Sequence, residues 1–120
     1  MRINVVRAGL ASVVAAGFMF GSGAAFAASA EKGKALFMKN GCWQCHGTQG
    51  QGSVATSGGK TLAPDPLPLE TFISFVRTTN RAMPPYREAI LSNEDLTDIH
   101  AYLSSIPKPA DYKTIQLLNE

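Results

Sequence analysis

Two cysteines and a histidine lie close together in the run Cys42-Trp43-Gln44-Cys45-His46. The two thiols of such a pair can each add across one vinyl group of the same porphyrin, and the adjoining histidine can then bind the iron through an imidazole nitrogen. The motif therefore predicts covalent attachment of one haem c, with Cys42 and Cys45 as the anchors and His46 as an axial ligand of the iron.

Two other uses of a Cys-x-x-Cys pair fit this sequence less well. A zinc half-site needs further ligands, and because the chain has two cysteines and two histidines in all, His100 would have to complete the set. A thioredoxin-like redox pair needs a preceding β-strand, whereas the segment before Cys42 has helical periodicity. Covalent haem is the favoured interpretation.

The second axial position of an iron bound by His46 decides between electron transfer and chemistry on small molecules. Met83 is the favoured ligand. Pro84 and Pro85 follow it and restrict the backbone, so a thioether held there loses little conformational entropy on binding the metal.

Met38 and His100 are the alternative ligands. Met38 lies on the predicted helix before Cys42, where a methionine is usually a flexible core filler. His100 lies beside the apolar stripe of the last predicted helix, where a lone histidine is usually solvated or hydrogen-bonded.

Three helices are predicted to position these residues. The first spans residues 29–40 and the second residues 68–78. The third begins at the capping-box-like sequence 92–95 and ends before Pro107. Apolar and polar residues do not alternate with the period of two that indicates a β-strand, so the predicted fold is all-α. The intervening loop, residues 47–66, is expected to be ordered by something other than its own hydrogen bonds, with the haem edge as the candidate. Residues 106–120 form a C-terminal tail.

The N-terminal region, residues 1–27, has the pattern of a signal peptide. Arg2 and Arg7 precede an apolar stretch at residues 8–20, and Ala25-Phe26-Ala27 is a small-x-small cleavage signal. Cleavage would leave one domain, residues 28–120. The alternative is an uncleaved anchor, since the uncharged residues 8–30 have the roughly 20 residues needed to cross a bilayer.

The size and charge of the mature chain limit its partners. Of 120 residues, 27 belong to the predicted leader and 93 remain, which is enough for one small domain. Loss of Arg2 and Arg7 reduces 11 basic residues to nine, which balance the nine acidic ones. A neutral domain has no basic stripe for phosphates, so nucleic acid is not an expected partner.

A haem inside the core of so small a domain would also stabilise the fold.

With these residues identified, the chain resembles the class I c-type cytochromes, small single-haem electron carriers with an all-helical fold around the porphyrin. The resemblance rests on Gly33 and Phe37, the motif at 42–46, Met83-Pro84, and Ala101-Tyr102-Leu103. It implies a cytochrome c-like fold whose first and last helices cross, with Gly33 at the crossing and Tyr102 packed beside it. It also implies haem attachment outside the cytoplasm, in agreement with the signal peptide.

The sequence departs from the family pattern beside the proximal histidine. In such proteins that histidine commonly donates its other ring N–H to a backbone carbonyl of a Gly-Pro turn, a bond that orients the ring. Here Lys60 follows Gly59, and Pro64 is a candidate replacement for the proline of the turn. The acceptor for the second ring nitrogen of His46 is left open.

The ligands and the resemblance together predict a periplasmic carrier of single electrons, not an enzyme. The expected partners are redox proteins, either a dehydrogenase or a respiratory complex, and a membrane is expected only if the leader is uncleaved. In that case residues 8–30 would anchor the domain facing the periplasm. A haem enzyme or gas-binding haem protein with a labile sixth ligand is the alternative, which follows if Met83 fails to bind the iron.

Overall fold

The computed structural model describes residues 27–53 and 59–118 of the chain. This part consists of helices and connecting loops, with no strand. The four α-helices are α1 (Ala30–Lys39), α2 (Trp43–His46), α3 (Leu69–Thr78) and α4 (Asn93–Ser105). Two short 3-10 helices follow at Tyr112–Thr114 and Gln116–Leu118. The predicted all-α fold is confirmed.

The leader lies outside this description. The predicted signal peptide, except for Ala27, and residues 8–26 of the alternative anchor belong to the part of the chain that the structure does not describe. Among the described helices, none has the length and apolar character that crossing a membrane requires.

The three predicted helices are present with nearly the predicted bounds, and the predicted caps form at the start of two of them. The Ser29 side chain accepts a hydrogen bond from the Lys32 N–H at the start of α1. Ser92 and Asp95 form a reciprocal capping box at the start of α4. Pro68 is the residue just before α3. The single turn α2 was not predicted, since four residues are too few to show a helical period.

The core lies where α1 crosses α4, and α3 also packs against α4. Gly33 is buried at this crossing, and the rings of Phe37 and Tyr102 pack beside it with their centroids 5.7 Å apart. The crossing that the family resemblance implied is therefore confirmed. The fully buried side chains are Phe37, Leu91, Leu96, Ile99, Leu103 and Asp98.

Contrary to the expectation that something other than its own hydrogen bonds orders the loop between α2 and α3, the part that the structure describes is hydrogen-bonded to itself. The Ser53 N–H donates to the Gly59 carbonyl at 3.1 Å, and the N–H groups of Leu62 and Ala63 both donate to the carbonyl of Gly50. Gly50 has a φ of 65°, a conformation that glycine adopts without steric cost and that reverses the chain here. The loop is thus held by pairing between its two ends.

The C-terminal tail carries its apolar side chains on the surface. Leu117 and Leu118 are exposed, at 82% and 64% of their accessible area, and Ile115 is 39% exposed. These apolar residues do not enter the core.

Candidate functional site

The cysteine motif begins directly after α1. Asn40 caps that helix, and Gly41, with a φ of 75°, turns the chain in the left-handed conformation typical of a helix end. The Cys42 N–H then donates to the carbonyl of the buried Phe37 at 3.2 Å. The position of Cys42 is therefore fixed relative to the helix crossing.

The two thiols differ in their surroundings. Cys42 is half-buried against the hydrophobic core, and burial raises the pKa of its thiol, whereas Cys45 is exposed. Both cysteines are free, with no disulfide between them. Both sulfur atoms therefore remain chemically available for attachment.

The ring of His46 is oriented by a backbone carbonyl. Its Nδ1 lies 2.8 Å from the Lys60 carbonyl oxygen. A carbonyl can only accept a hydrogen bond, so in the neutral imidazole the proton is on Nδ1 and the lone pair of Nε2 is available to a metal. The acceptor left open by the sequence is thus Lys60, and the suggestion that Pro64 replaces the turn's proline in this role is wrong.

Gly59 makes this arrangement possible. A Cβ atom at Gly59 would overlap the backbone carbonyl of Cys45, so only glycine permits the loop to approach the motif this closely. The approach brings the next carbonyl, that of Lys60, to His46. Sequence reasoning missed Lys60 because its contribution is a backbone atom; the one available signal was the glycine before it.

Met83 lies at the end of a bend, residues 81–83, in the segment between α3 and α4. Its side chain is half-buried and packs against the same hydrophobic core that Cys42 contacts. The hydroxyl of the buried Thr79 donates to the Met83 carbonyl at 3.4 Å. The Met83 side chain is therefore partly shielded from solvent by the core.

Tyr86 anchors the far end of this segment. Its phenol donates to the Asn40 carbonyl at 2.8 Å, and its N–H donates to the Val76 carbonyl at 3.0 Å. Its own carbonyl accepts a hydrogen bond from Nη1 of Arg77 at 2.8 Å. Sequence reasoning missed both Tyr86 and Arg77, for which the only signal was the position of Tyr86 directly after two prolines.

Of the two alternative axial ligands, His100 makes a hydrogen bond elsewhere and Met38 lies on the surface. Nε2 of His100 lies 2.9 Å from the Leu67 carbonyl, and its ring meets the Phe72 ring edge-on at 5.6 Å. His100 is thus hydrogen-bonded, as is usual for a lone histidine on a helix. Met38 is exposed and lines a surface cavity of about 370 Å³ together with Tyr102.

The zinc interpretation finds no support. Both cysteines and both histidines belong to the described residues, and this part of the chain contains no cluster of three or more His, Cys, Asp or Glu side chains that could hold a metal ion. The donor set fits a covalently attached haem instead, since it offers two free thiols, an imidazole with a free Nε2 and a half-buried thioether.

Comparison with known proteins agrees with this chemistry. The family model described as cytochrome C oxidase, cbb3-type, subunit III, matches residues 28–103, which is more than half of the chain. No curated protein and no solved structure gives a significant match.

Proposed function

We propose that this chain, which belongs to the family of cbb3-type cytochrome c oxidase subunit III, carries single electrons in the periplasm between a redox enzyme and a respiratory acceptor. Membership makes the chain a class I c-type cytochrome with one covalently attached haem c, and its activity is haem-based electron transfer. When bound, the haem supplies reversible one-electron oxidation and reduction of its iron.

Four residues are proposed to hold the cofactor. Cys42 and Cys45 form the thioether bonds, which suits their sequence spacing and their free thiols. His46 binds the iron through Nε2, because Nδ1 donates to the Lys60 carbonyl, and this hydrogen bond raises the basicity of the imidazole. Met83 would supply its thioether sulfur as the second protein ligand of the iron.

The observation that favours a carrier over a haem enzyme is the position of Met83. Its side chain is half-buried and packs against the core that Cys42 also contacts. A thioether bound to the iron from there would occupy the position that a small-molecule substrate needs. Sulfur ligation and exclusion of water both favour the ferrous state, so this chain is expected to have a raised midpoint potential.

The proposed partner is an oxidase, a dehydrogenase or another respiratory complex, in keeping with the family. The mature chain is formally neutral, so bulk charge contributes little to docking. Trp43 lies between the two anchoring cysteines and exposes 39% of its surface, so it supplies an apolar contact beside the attachment site.

Export is proposed from the leader sequence alone. Mass spectrometry of protein from the periplasmic fraction should give a polypeptide starting at Ala28 plus one haem. Recovery of the full chain in the membrane fraction would support the uncleaved anchor at residues 8–30 instead.

The carrier function is tested by replacing Met83 with alanine in the holoprotein. The parent should show the weak far-red absorption of methionine-bound ferric iron, and its ferrous form should not bind carbon monoxide at neutral pH. Met83→Ala should lose the band, bind carbon monoxide and show a lower midpoint potential. Met38→Leu is the matched control and should behave like the parent. A far-red band that persists in Met83→Ala, or carbon monoxide binding by the parent, would overturn the proposal.

A further inference from the structure

We propose that Tyr86 and Arg77 are positioning residues that keep Met83 on the iron by tying its segment to the segment that carries His46. The inference rests on the proposed axial roles of Met83 and His46. Neither Tyr86 nor Arg77 is itself proposed as a ligand.

The central contact is one hydrogen bond between the two ligand-bearing segments. The Tyr86 phenol donates to the carbonyl of Asn40 at 2.8 Å. Asn40 is the C-cap of α1 and lies two residues before Cys42, while Tyr86 lies three residues after Met83. This bond therefore limits how far the methionine segment can move away from the cysteine and histidine motif.

Pro84 and Pro85 transmit this restraint to Met83. They fill the whole interval between Met83 and Tyr86, and each fixes its own φ. A displacement of Met83 must therefore either move Tyr86 or distort a stiff connection.

Arg77 fixes the backbone of Tyr86 to two helices. Its Nη1 donates to the Tyr86 carbonyl at 2.8 Å, and its Nη2 donates to Oδ1 of Asn93, the first residue of α4, at 2.7 Å. Because the guanidinium is planar, these two bonds fix its orientation as well as its position. The Tyr86 N–H makes a further hydrogen bond, to the carbonyl of Val76 in α3.

The other end of the segment is held less firmly. The hydrogen bond from Thr79 to the Met83 carbonyl is 3.4 Å long, beyond the range of strong hydroxyl donors. Asn80, Arg81 and Ala82 are exposed. Retention of Met83 therefore depends mainly on the contacts of Tyr86.

The test uses holoprotein variants and the binding of imidazole to the ferric form, which reports how readily Met83 leaves. Tyr86→Phe removes only the hydroxyl. Its affinity for imidazole should rise about threefold to tenfold, the change that corresponds to one ordinary hydrogen bond. The far-red band should also be lost at a lower temperature than global helix unfolding, as measured by circular dichroism.

Tyr102→Phe is the matched control. It loses the same hydroxyl, which here donates to the Thr48 carbonyl at 2.7 Å and not to Asn40. It should reduce global stability and leave imidazole affinity unchanged. Equal imidazole affinity in the Tyr86→Phe and Tyr102→Phe variants would overturn the positioning role.

Arg77 provides a second series if Tyr86→Phe does not load haem. Arg77→Lys keeps one donor, and Arg77→Gln removes the charge. Imidazole affinity should therefore increase from the parent to Arg77→Lys and again to Arg77→Gln. The absence of this order would also overturn the proposal. A far-red band that survives in Met83→Ala is a different outcome, since it contradicts the ligand assignment and the proposed function themselves.

Discussion

Gly33 of α1 lies directly against the backbone carbonyl of Asp98 in α4. A Cβ atom on Gly33 would overlap that carbonyl and would also lie 2.9 Å from the Ile99 nitrogen. Both atoms belong to the backbone and cannot move aside by changing a rotamer. The helices therefore cross as closely as two backbones permit, and this crossing positions the motif that follows α1.

We expect Gly33→Ala to destabilise the holoprotein by about 1–3 kcal/mol, the usual penalty for overpacking a core. Alanine has a higher helix propensity than glycine by about 1 kcal/mol, so propensity alone would make Gly33→Ala more stable than the parent. A loss of stability would therefore show that steric overlap dominates. Denaturant unfolding followed by circular dichroism measures it. The control Ala35→Gly, on the exposed face of α1, should lose about 1 kcal/mol through propensity alone. A Gly33→Ala variant as stable as the parent would contradict the close crossing.

Gly59→Ala should disturb the ligand environment without touching a ligand. The added methyl group collides with the Cys45 carbonyl and must displace the loop, which carries the Lys60 carbonyl away from Nδ1 of His46. The imidazole then becomes a poorer donor, which disfavours ferric iron. We expect the midpoint potential to rise by up to about 60 mV, a tenfold change in a one-electron equilibrium.

Lys60→Ala is the control for this prediction, because it retains the backbone carbonyl and removes only an exposed side chain. Its midpoint potential, measured by the same spectroscopic redox titration, should equal that of the parent. A shift in Lys60→Ala as large as the shift in Gly59→Ala would mean that the side-chain charge, and not the carbonyl, is responsible.

The parts of this molecule that were predictable are those encoded locally. The cysteine motif is contiguous, and each of the three longer helices has a local start signal: Ser29 and Ser92 cap two of them, and Pro68 precedes the third. The crossing of α1 and α4 was implied by the family resemblance, through Gly33 and Tyr102.

The contacts that orient the ligands were not predictable, because their acceptors are backbone atoms far away in sequence. Every residue has a carbonyl, so the identity of Lys60 gave no sign of its bond to His46. Likewise nothing in the sequence near Tyr86 indicates that its phenol meets the carbonyl of Asn40, 46 residues earlier. Such pairings are decided by the path of the whole chain.

Cys42→Ala combined with Cys45→Ala should abolish covalent haem attachment and leave little folded protein, since a small domain loses part of its core with the cofactor. Mass spectrometry under denaturing conditions checks attachment, and circular dichroism checks the helices. Either single variant should retain one thioether bond. A double variant with parental helix content would show that the polypeptide folds without the haem.

The ion pairs at the start of α1 and α4 predict a pH dependence of stability. Nζ of Lys32 lies 2.9 Å from Oδ2 of the buried Asp98 and 3.0 Å from Oδ1 of Asp95. Hydrogen bonds to Asp98 and then Asp95 raise the pKa of Lys32 above 10.5, and the hydrogen bond with Lys32 is the main cause that lowers the pKa of Asp95 below 3.8. The Asp95 contribution is thus present above pH 3.8 and is lost as the pH falls through its lowered pKa. The Lys32 contribution is present below pH 10.5 and is lost as the pH rises through its raised pKa.

Lys32→Gln should therefore be less stable than the parent at neutral pH, with a difference in unfolding midpoint that shrinks at both extremes of pH. The difference between the two proteins is the quantity to measure, because any titration at the haem site is common to both and cancels. Added salt should reduce it as well, since Lys32 is exposed and the interaction is screened. Lys34→Gln, on the same helix and without an ion-pair partner among the described residues, is the control and should show no such profile. A Lys32→Gln difference that stays constant from acid to alkaline pH would mean that Lys32 stabilises the crossing by packing and not by charge.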